Sequence, residues 1–230
     1  MTKLYLVPNT ISEEGYALLP GYIATEIKAV RTFFVEEPKA ARRLLKAFNI
    51  PLNECHFHEL SEHSSPKETQ EYIKIAKAQD TAIISEAGCP CIADPGTDLV
   101  FLAHQDQIEI VPLVGPSSIL LALMASGLSG QNFAFNGYLP REKELKRKKI
   151  INLEERSHKE KQTQIFMEAP YRNQTMLEDI LASCRNTTNL CVASDIAGPQ
   201  QFIKTMSIDK WKKHLPQIDQ KPTLFLIYST

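Results

Sequence analysis

Glycine-rich nucleotide loops are missing from this 230-residue chain: none of its nine glycines forms a G-x-G-x-x-G, and no G-x-x-x-x-G-K occurs. The backbone cradles with which ordinary Rossmann and P-loop domains hold a pyrophosphate are therefore absent, which argues against a dehydrogenase, a kinase and the commonest methyltransferase fold. An excess of either charge is missing too. With 26 basic and 27 acidic side chains the formal net charge is -1, so no global field draws the chain to nucleic acid or to an anionic membrane, and any RNA contact has to be local.

Two further absences bound the class. Met1 to Val7 places one lysine before a short apolar run and has no long apolar region with a small-residue cleavage site, so it reads as a first strand. The longest uncharged run, Ile110 to Pro140, is broken by Pro112, Pro116, serines, Gln131, Asn132 and glycines, which fits a buried strand, turn and helix better than a membrane span. The five cysteines, Cys55, Cys89, Cys91, Cys184 and Cys191, lack paired zinc-site spacing, and Cys89 and Cys91 sit too close for an easy disulfide. Reduced thiols, a cytoplasmic setting and no metal site are the expectation. His56 and His58 alternate on one strand face, but no third ligand accompanies them.

What is present is ordinary globular composition, 43% apolar and 23% charged, in a chain long enough for two domains. Short runs rich in Val, Ile and Phe alternate with helix-length stretches, the pattern of an α/β protein. Strands are expected at 4–7, 32–36, 55–58, 81–85 and 108–111, with helices at 21–30, 38–48, 66–79 and 97–104. Pro38 and Pro66 stand where a first helical turn tolerates proline. Beyond Pro140 a basic segment, Arg141 to Lys149, leads to strands at 163–168, 189–194, 201–206 and 223–228. The third follows the second too closely for a crossover helix, which predicts a hairpin and a more antiparallel half. The expected architecture is a mainly parallel N-terminal sheet (domain 1–113) and a mixed or antiparallel C-terminal sheet (domain 114–230), both flanked by helices. Trp211, in a lysine-flanked amphipathic stretch, is expected to anchor packing.

Turn-forming residues concentrate in Ser85-Glu86-Ala87-Gly88-Cys89-Pro90-Cys91-Ile92-Ala93-Asp94-Pro95-Gly96, directly after a strongly apolar strand. Ligands of open α/β sheets bind outside the carboxyl ends of strands, so this loop is the default site. A second loop, Gly115-Pro116-Ser117-Ser118, follows the fifth strand and offers hydroxyls and amides at a helix start. Taken singly, either loop reads as no more than a tight turn.

The order and spacing of these loops resemble the tetrapyrrole methylase superfamily, and most closely its ribosomal RNA small subunit methyltransferase I branch, the cytidine 2'-O-methyltransferases. The likeness rests on Leu4-Tyr5-Leu6-Val7, the loop Ser85 to Gly96, the run Val111 to Ser118 with Ala125-Ser126-Gly127-Leu128, and Phe135 to Arg141. Glu168-Ala169-Pro170-Tyr171-Arg172 is similar to the branch's E-S-P-H-R.

The resemblance implies a homodimeric methyltransferase that holds S-adenosylmethionine in a cleft between its domains and releases S-adenosylhomocysteine. Carried over by position, the donor contacts are Glu86, Ala87, Gly88, Cys89, Pro90, Ile92, Gly115, Ser117 and Ser118, with Met167, Pro170, Pro222, Thr223 and Leu224 from the second domain. The implied acceptor is a ribosomal RNA ribose, and the implied partner is ribosomal RNA or the small ribosomal subunit, with no membrane. A tetrapyrrole or another small molecule, or a donor-binding module without turnover, are the alternatives. A ribose hydroxyl needs a carboxylate to take its proton, for which Glu36, Glu86, Asp94 and Asp195 are the candidates.

Three departures fall where the acceptor is expected. T-P-I-G-N-L is replaced by Asn9 to Glu14, E-D-T-R by Glu36-Glu37-Pro38-Lys39, and A-R-E-L-T-K by Ala193 to Gly198, with loss of a glycine and several cations. Within the donor loops, Glu86 stands for the usual Asp and Cys89 for the usual Thr. Donor binding is thus expected to be retained with an altered acceptor. The remaining RNA feature is Arg141 to Lys149, for which a solvated, charge-paired helix face is the equal alternative.

Overall fold

The computed structural model describes residues 1–12 and 15–230, and the chain divides into two compact units, Met1–Ser117 and Ser118–Thr230. Glu13 and Glu14, part of the departure at Asn9 to Glu14, lie outside the described residues. The division falls at Ser117, after the expected boundary at residue 113, because the segment between them is bound to the first unit. Val114 N donates to Tyr22 Oη at 2.7 Å, and Gly115 lies against Pro8.

The first unit is a five-stranded parallel sheet of β1 (Lys3–Val7), β2 (Thr32–Val35), β3 (His56–Glu59), β4 (Thr81–Ile84) and β5 (Glu109–Pro112), in the order β3-β2-β4-β1-β5. Every residue of β2 and β4 is buried, as parallel strands covered on both faces require. Alternation sorts neighbours onto opposite faces. Phe33, Val35, Ala82 and Ile84 pack under α1 (Tyr22–Glu26) and α2 (Pro38–Ala47), whereas Phe34 and Ile83 pack under α3 (Pro66–Ala78) and α4 (Thr97–Gln105).

The proline signals locate helix starts well. Pro38 opens α2 behind Glu37, whose carboxylate accepts from Ala40 N at 2.7 Å; Pro66 opens α3 behind a reciprocal Ser65–Glu68 capping box. The expected helix at 21–30 shrinks to α1, and in the turn that follows Arg31 Nη1 donates to the Lys28 and Val30 carbonyls at 2.8 and 2.9 Å.

The second unit is a mixed sheet of β6 (Phe133–Tyr138), β7 (Thr163–Glu168), β8 (Asn189–Ser194), β9 (Phe202–Ser207) and β10 (Thr223–Tyr228), in the order β6-β7-β10-β8-β9. Only β6 and β7 run parallel; β8 and β9 form the predicted hairpin partnership. α6 (Lys143–Glu160) and α7 (Asn173–Ser183) cover one face around Ile150, Leu153, Phe166, Met176, Ile180 and Phe225. The other face meets α5 (Ser118–Ser126), tied to β9 by Thr205 Oγ1 donating to Ser126 O at 2.6 Å. Two elements escape the sequence pattern. β6 is hidden by Asn136, by Gly137 at φ 61° and by a register shift between Phe135 and Tyr138; α7 follows a turn begun by Pro170. Trp211 is buried and donates to Leu190 O at 2.8 Å, but its helix, α8 (Ile208–Trp211), is a single turn.

Inside the basic segment, Lys146 is buried and its ammonium sits 2.9 Å from the equally buried carboxylate of Asp179 on α7. Asp179→Ala strands that ammonium in the core, so it is expected to lower unfolding free energy by about 3–5 kcal/mol, whereas Lys146→Met with Asp179→Leu recovers most of the loss. Urea unfolding of both variants checks this; a single variant as stable as the parent would show that the pair does not hold α6 to α7.

Candidate functional site

β1 and β4 are neighbours at the sheet centre, so the chain leaves both at the same edge. There the buried side chain of Asn9 staples the two exits together. Its Nδ2 donates to Ser85 O at 3.1 Å and to Glu86 O at 3.0 Å. Its backbone exchanges two hydrogen bonds with Gly88, 2.8 and 3.1 Å long. Ser85 Oγ adds a third tie by donating to Gly88 O at 2.9 Å. The loop leaving β4 then turns through left-handed conformations at Gly88 (φ 72°), Cys91 (φ 66°) and Ala93 (φ 63°), costs that a packed surround has to hold.

The second glycine-proline loop is brought against the first. Cys89 Sγ lies 3.3 Å from Pro116 O, and the Gly115 backbone packs so tightly that an added Cβ would stand 2.1 Å from Pro8 Cβ. Glu86, Ala87 and Ile92 are exposed and reachable; Gly88 and Pro90 are buried supports, and Cys89, Gly115 and Ser117 are half-buried. Hence the expected donor residues of the first unit, spread over 86–92 and 115–117, form one contiguous edge.

In the second unit the expected residues also converge. Met167 and Leu224 are register partners on β7 and β10, as are Glu168 and Thr223. Pro170 O accepts from Gln220 N at 3.2 Å, and Thr223 Oγ1 lies 2.9 Å from Ser194 Oγ. Pro170 and the stretch Pro222 to Leu224 therefore share one end of the β7–β10 pair. Ser118 begins α5. In the E-A-P-Y-R segment, Arg172 pairs with buried Glu168, which gives that motif a structural role.

Of the four carboxylate candidates, three gather at the exits of β2 and β4. Glu36 Oε2 accepts from Glu86 N at 3.0 Å, and burial pushes the Glu36 carboxyl up. Burial first, then the charges of Glu36, Glu86 and Glu62, push Asp94 up to about 7, and its Oδ2 is buried with no hydrogen-bond partner among the described residues. Asp94 lines a cavity of about 230 Å³ with Leu60, Glu62 and Thr97. Asp195 belongs to the second unit, where at φ 50° it shapes the turn after β8 and its Oδ2 accepts from Gln200 N at 2.8 Å. Among the described residues, no three His, Cys, Asp or Glu side chains gather into a set able to hold a metal ion.

A second cavity, about 430 Å³, opens at the exits of β1 and β4. Glu86 and Ala87 form one wall, Asn9 to Ser12 another, and Tyr16, Ala40 and Arg43 close it. Tyr16 and Arg43 carry no motif in the sequence. Asn9 begins the segment that stands for T-P-I-G-N-L, and its amide, two residues after a buried strand, is a polar group that must find partners there.

Two outcomes test this geometry. Gly115→Ala forces its methyl into a rigid proline ring and is expected to cost about 1–3 kcal/mol of stability by urea unfolding, as overpacking does; an unchanged midpoint would mean that the loop is not pinned to Pro8. For Asp94, the folded state holds a proton up to about pH 7 that an ordinary aspartate releases near 3.8. The folded-state pKa is raised, so this contribution is fully present below about pH 4 and is lost as pH rises through about 7. Asp94→Asn should flatten the fall in melting temperature across that window and melt above the parent at pH 8; parallel melting curves at all pH values would refute the buried acid.

Comparisons with known proteins agree with the fold. The family model for Tetrapyrrole (Corrin/Porphyrin) Methylases matches residues 24–211. A Streptococcus pyogenes serotype M6 protein named ribosomal RNA small subunit methyltransferase I is 37% identical over 225 residues, 97% of this chain and 75% of that protein. Its Vibrio cholerae namesake is 29% identical over 206 residues, 89% of this chain and 68% of that one. Two solved structures share the fold: uroporphyrin-III-C-methyltransferase from Thermus thermophilus, with TM-score 0.58 at 15% identity over 99% of this chain and 94% of that one, and the methyltransferase CobJ, with TM-score 0.64 at 14% identity over 100% and 94%. With the parallel and mixed sheets in place and both glycine-proline loops joined at one edge, this chain belongs to the tetrapyrrole methylase family.

Proposed function

We propose that the protein transfers a methyl group from S-adenosylmethionine to a ribose 2'-hydroxyl of small-subunit ribosomal RNA. In the first unit the donor would lie against Glu86 to Pro90, Ile92 and Gly115 to Ser117; Ser118, Met167, Pro170 and Pro222 to Leu224 are the second unit's own candidates for donor contact. The observation that carries this reading is the 430 Å³ cavity: it shares Glu86 and Ala87 with the donor loop, so an acceptor seated in it is adjacent to the donor. The relatives' shared name supports ribosomal RNA as that acceptor. A homodimer in the cytoplasm is part of the same reading, and no helix among the described residues is long and apolar enough to cross a membrane.

The chemistry is an in-line displacement. The ribose oxygen forms a bond to the methyl carbon as the carbon–sulfur bond breaks, the sulfonium becomes a neutral thioether, and the hydroxyl proton passes to a carboxylate. Positioning carries most of the acceleration, up to ~7–11 kcal/mol when the partners are held in a near-attack arrangement. A carboxylate raised toward neutrality makes a more effective proton acceptor than an ordinary one. Glu36 and Asp94 are such groups beside the loop. The guanidinium fork lost at Lys39 has a substitute one helical turn along, since Arg43 borders the cavity.

Calorimetric titration with S-adenosylmethionine and S-adenosylhomocysteine is the first test, repeated on Ser117→Trp. Micromolar binding that disappears in the variant is expected. Incubation with labelled donor and small ribosomal subunits, followed by nuclease digestion and mass spectrometry, should then yield a 2'-O-methylated nucleoside. Absence of donor binding overturns the whole reading; binding without transfer overturns the enzyme and leaves a donor-binding module; transfer to a tetrapyrrole in place of RNA overturns the acceptor alone.

A further inference from the structure

α2 contains no acidic residue between Pro38 and Ala47. Its four cations, Lys39, Arg42, Arg43 and Lys46, recur at i, i+3, i+4 and i+7 and so fall on one face, opposite the buried Ala40, Ala41, Leu44 and Leu45. All four are exposed, and among the described residues none forms an ion pair. Glu37, the nearest acid on the helix, is held in the cap through Ala40 N. Arg42 is steadied over the Phe57 ring at 4.8 Å.

An amphipathic surface helix normally mixes both signs on its wet face, so an unbroken cationic stripe in a chain with net charge -1 is a local field maintained against the average. It spans about 10 Å at 1.5 Å per residue, enough to meet more than one phosphate of a nucleic-acid strand. One of its members, Arg43, lines the 430 Å³ cavity, so the stripe leads directly to that opening. Arg141 to Lys149 is the weaker candidate: Lys146 is consumed in a buried ion pair, and Glu142 and Glu144 interrupt the rest.

We infer that the exposed face of α2 is the RNA-backbone docking surface of this protein, laying phosphates beside the acceptor nucleotide along Lys39, Arg42, Arg43 and Lys46 while that nucleotide enters the cavity. This rests on the reading of the acceptor as RNA. Lys39, which stands where E-D-T-R has its arginine, keeps a charge at that position, and Arg42, Arg43 and Lys46 extend it along the same helical face.

The test is equilibrium binding of fluorescently labelled small-subunit ribosomal RNA across a potassium chloride series. The full chain is compared with K39Q/R42Q/K46Q, which leaves the cavity-lining Arg43 in place, and with K143Q/K148Q/K149Q on α6. The parent is expected to bind with log affinity falling linearly in log salt. The α2 variant should bind at least tenfold more weakly at 0.1 M salt, with a slope smaller by about 2, as removal of three phosphate contacts predicts. The α6 variant should stay within twofold of the parent, and calorimetry should find donor affinity unchanged in both. An α2 variant with the parent's affinity and slope overturns the docking surface while leaving the RNA reading intact. A parent that binds no RNA overturns both. Salt-sensitive capture of phosphatidylserine vesicles by the parent in place of RNA, lost in the α2 variant, would make the stripe a membrane contact and overturn its assignment to RNA.

Discussion

The site of the first domain depends on the amide of Asn9. A parallel sheet delivers β1 and β4 to one edge, but nothing in sheet pairing fixes the loops beyond it, because the ladder ends with the strands. Asn9 continues it: two side-chain bonds and a two-bond backbone bridge bind the first turn of the β4 loop to the exit of β1. Each such bond contributes only about 0.5–1.5 kcal/mol net, yet a buried amide left without partners costs more, so the arrangement is all or none. The left-handed residues downstream are tolerable only because their starting point is held in this way.

From that staple the electrostatics follow. Holding the Glu86 amide in place presents it to Glu36, and the same folding of the loop buries Asp94 near both carboxylates. Burial first, and then the like charges beside it, raise the Asp94 carboxyl to about 7, so that an ordinary acid exchanges its proton near neutrality. The opposite solution appears in the second domain, where the ammonium of Lys146 and the carboxylate of Asp179 pair in the core. One cluster gathers like charges and borders a cavity; the other is matched and fastens two helices.

How much of this was legible in the sequence depended on where the determining signal lay. The strands were mostly visible because burial on both faces demands continuous apolar runs, as in Thr81–Ile84 and Thr223–Tyr228. The helices after Pro38 and Pro66 were visible because proline and its preceding cap act locally. β6 was not, since Asn136 and Gly137 sit in a bulged edge strand whose partner lies some thirty residues away. Within the site, the glycine-proline loops announced themselves, whereas Asn9 and Arg43 did not. An asparagine between a proline and a threonine reads as a turn, and an arginine on a helix reads as solvent-facing, until the topology places one under Ser85 and the other at a cavity mouth.

The same contrast explains why the two glycine-proline loops resemble the family's while the positions expected to face the acceptor do not. In those loops the backbone is the constraint. Gly88 needs a left-handed conformation, and Gly115 has no room for a methyl group beside Pro8, so few sequences satisfy them. A phosphate contact is less demanding, because an ammonium or guanidinium on a long side chain attracts it from several positions on the same surface. With Lys39 in place of the arginine, Arg42, Arg43 and Lys46 can therefore supply a guanidinium and further charge without any change in the fold, provided they share one helical face. Geometry that the backbone enforces stays in place, and charge that side chains supply is free to move along the helix beside it.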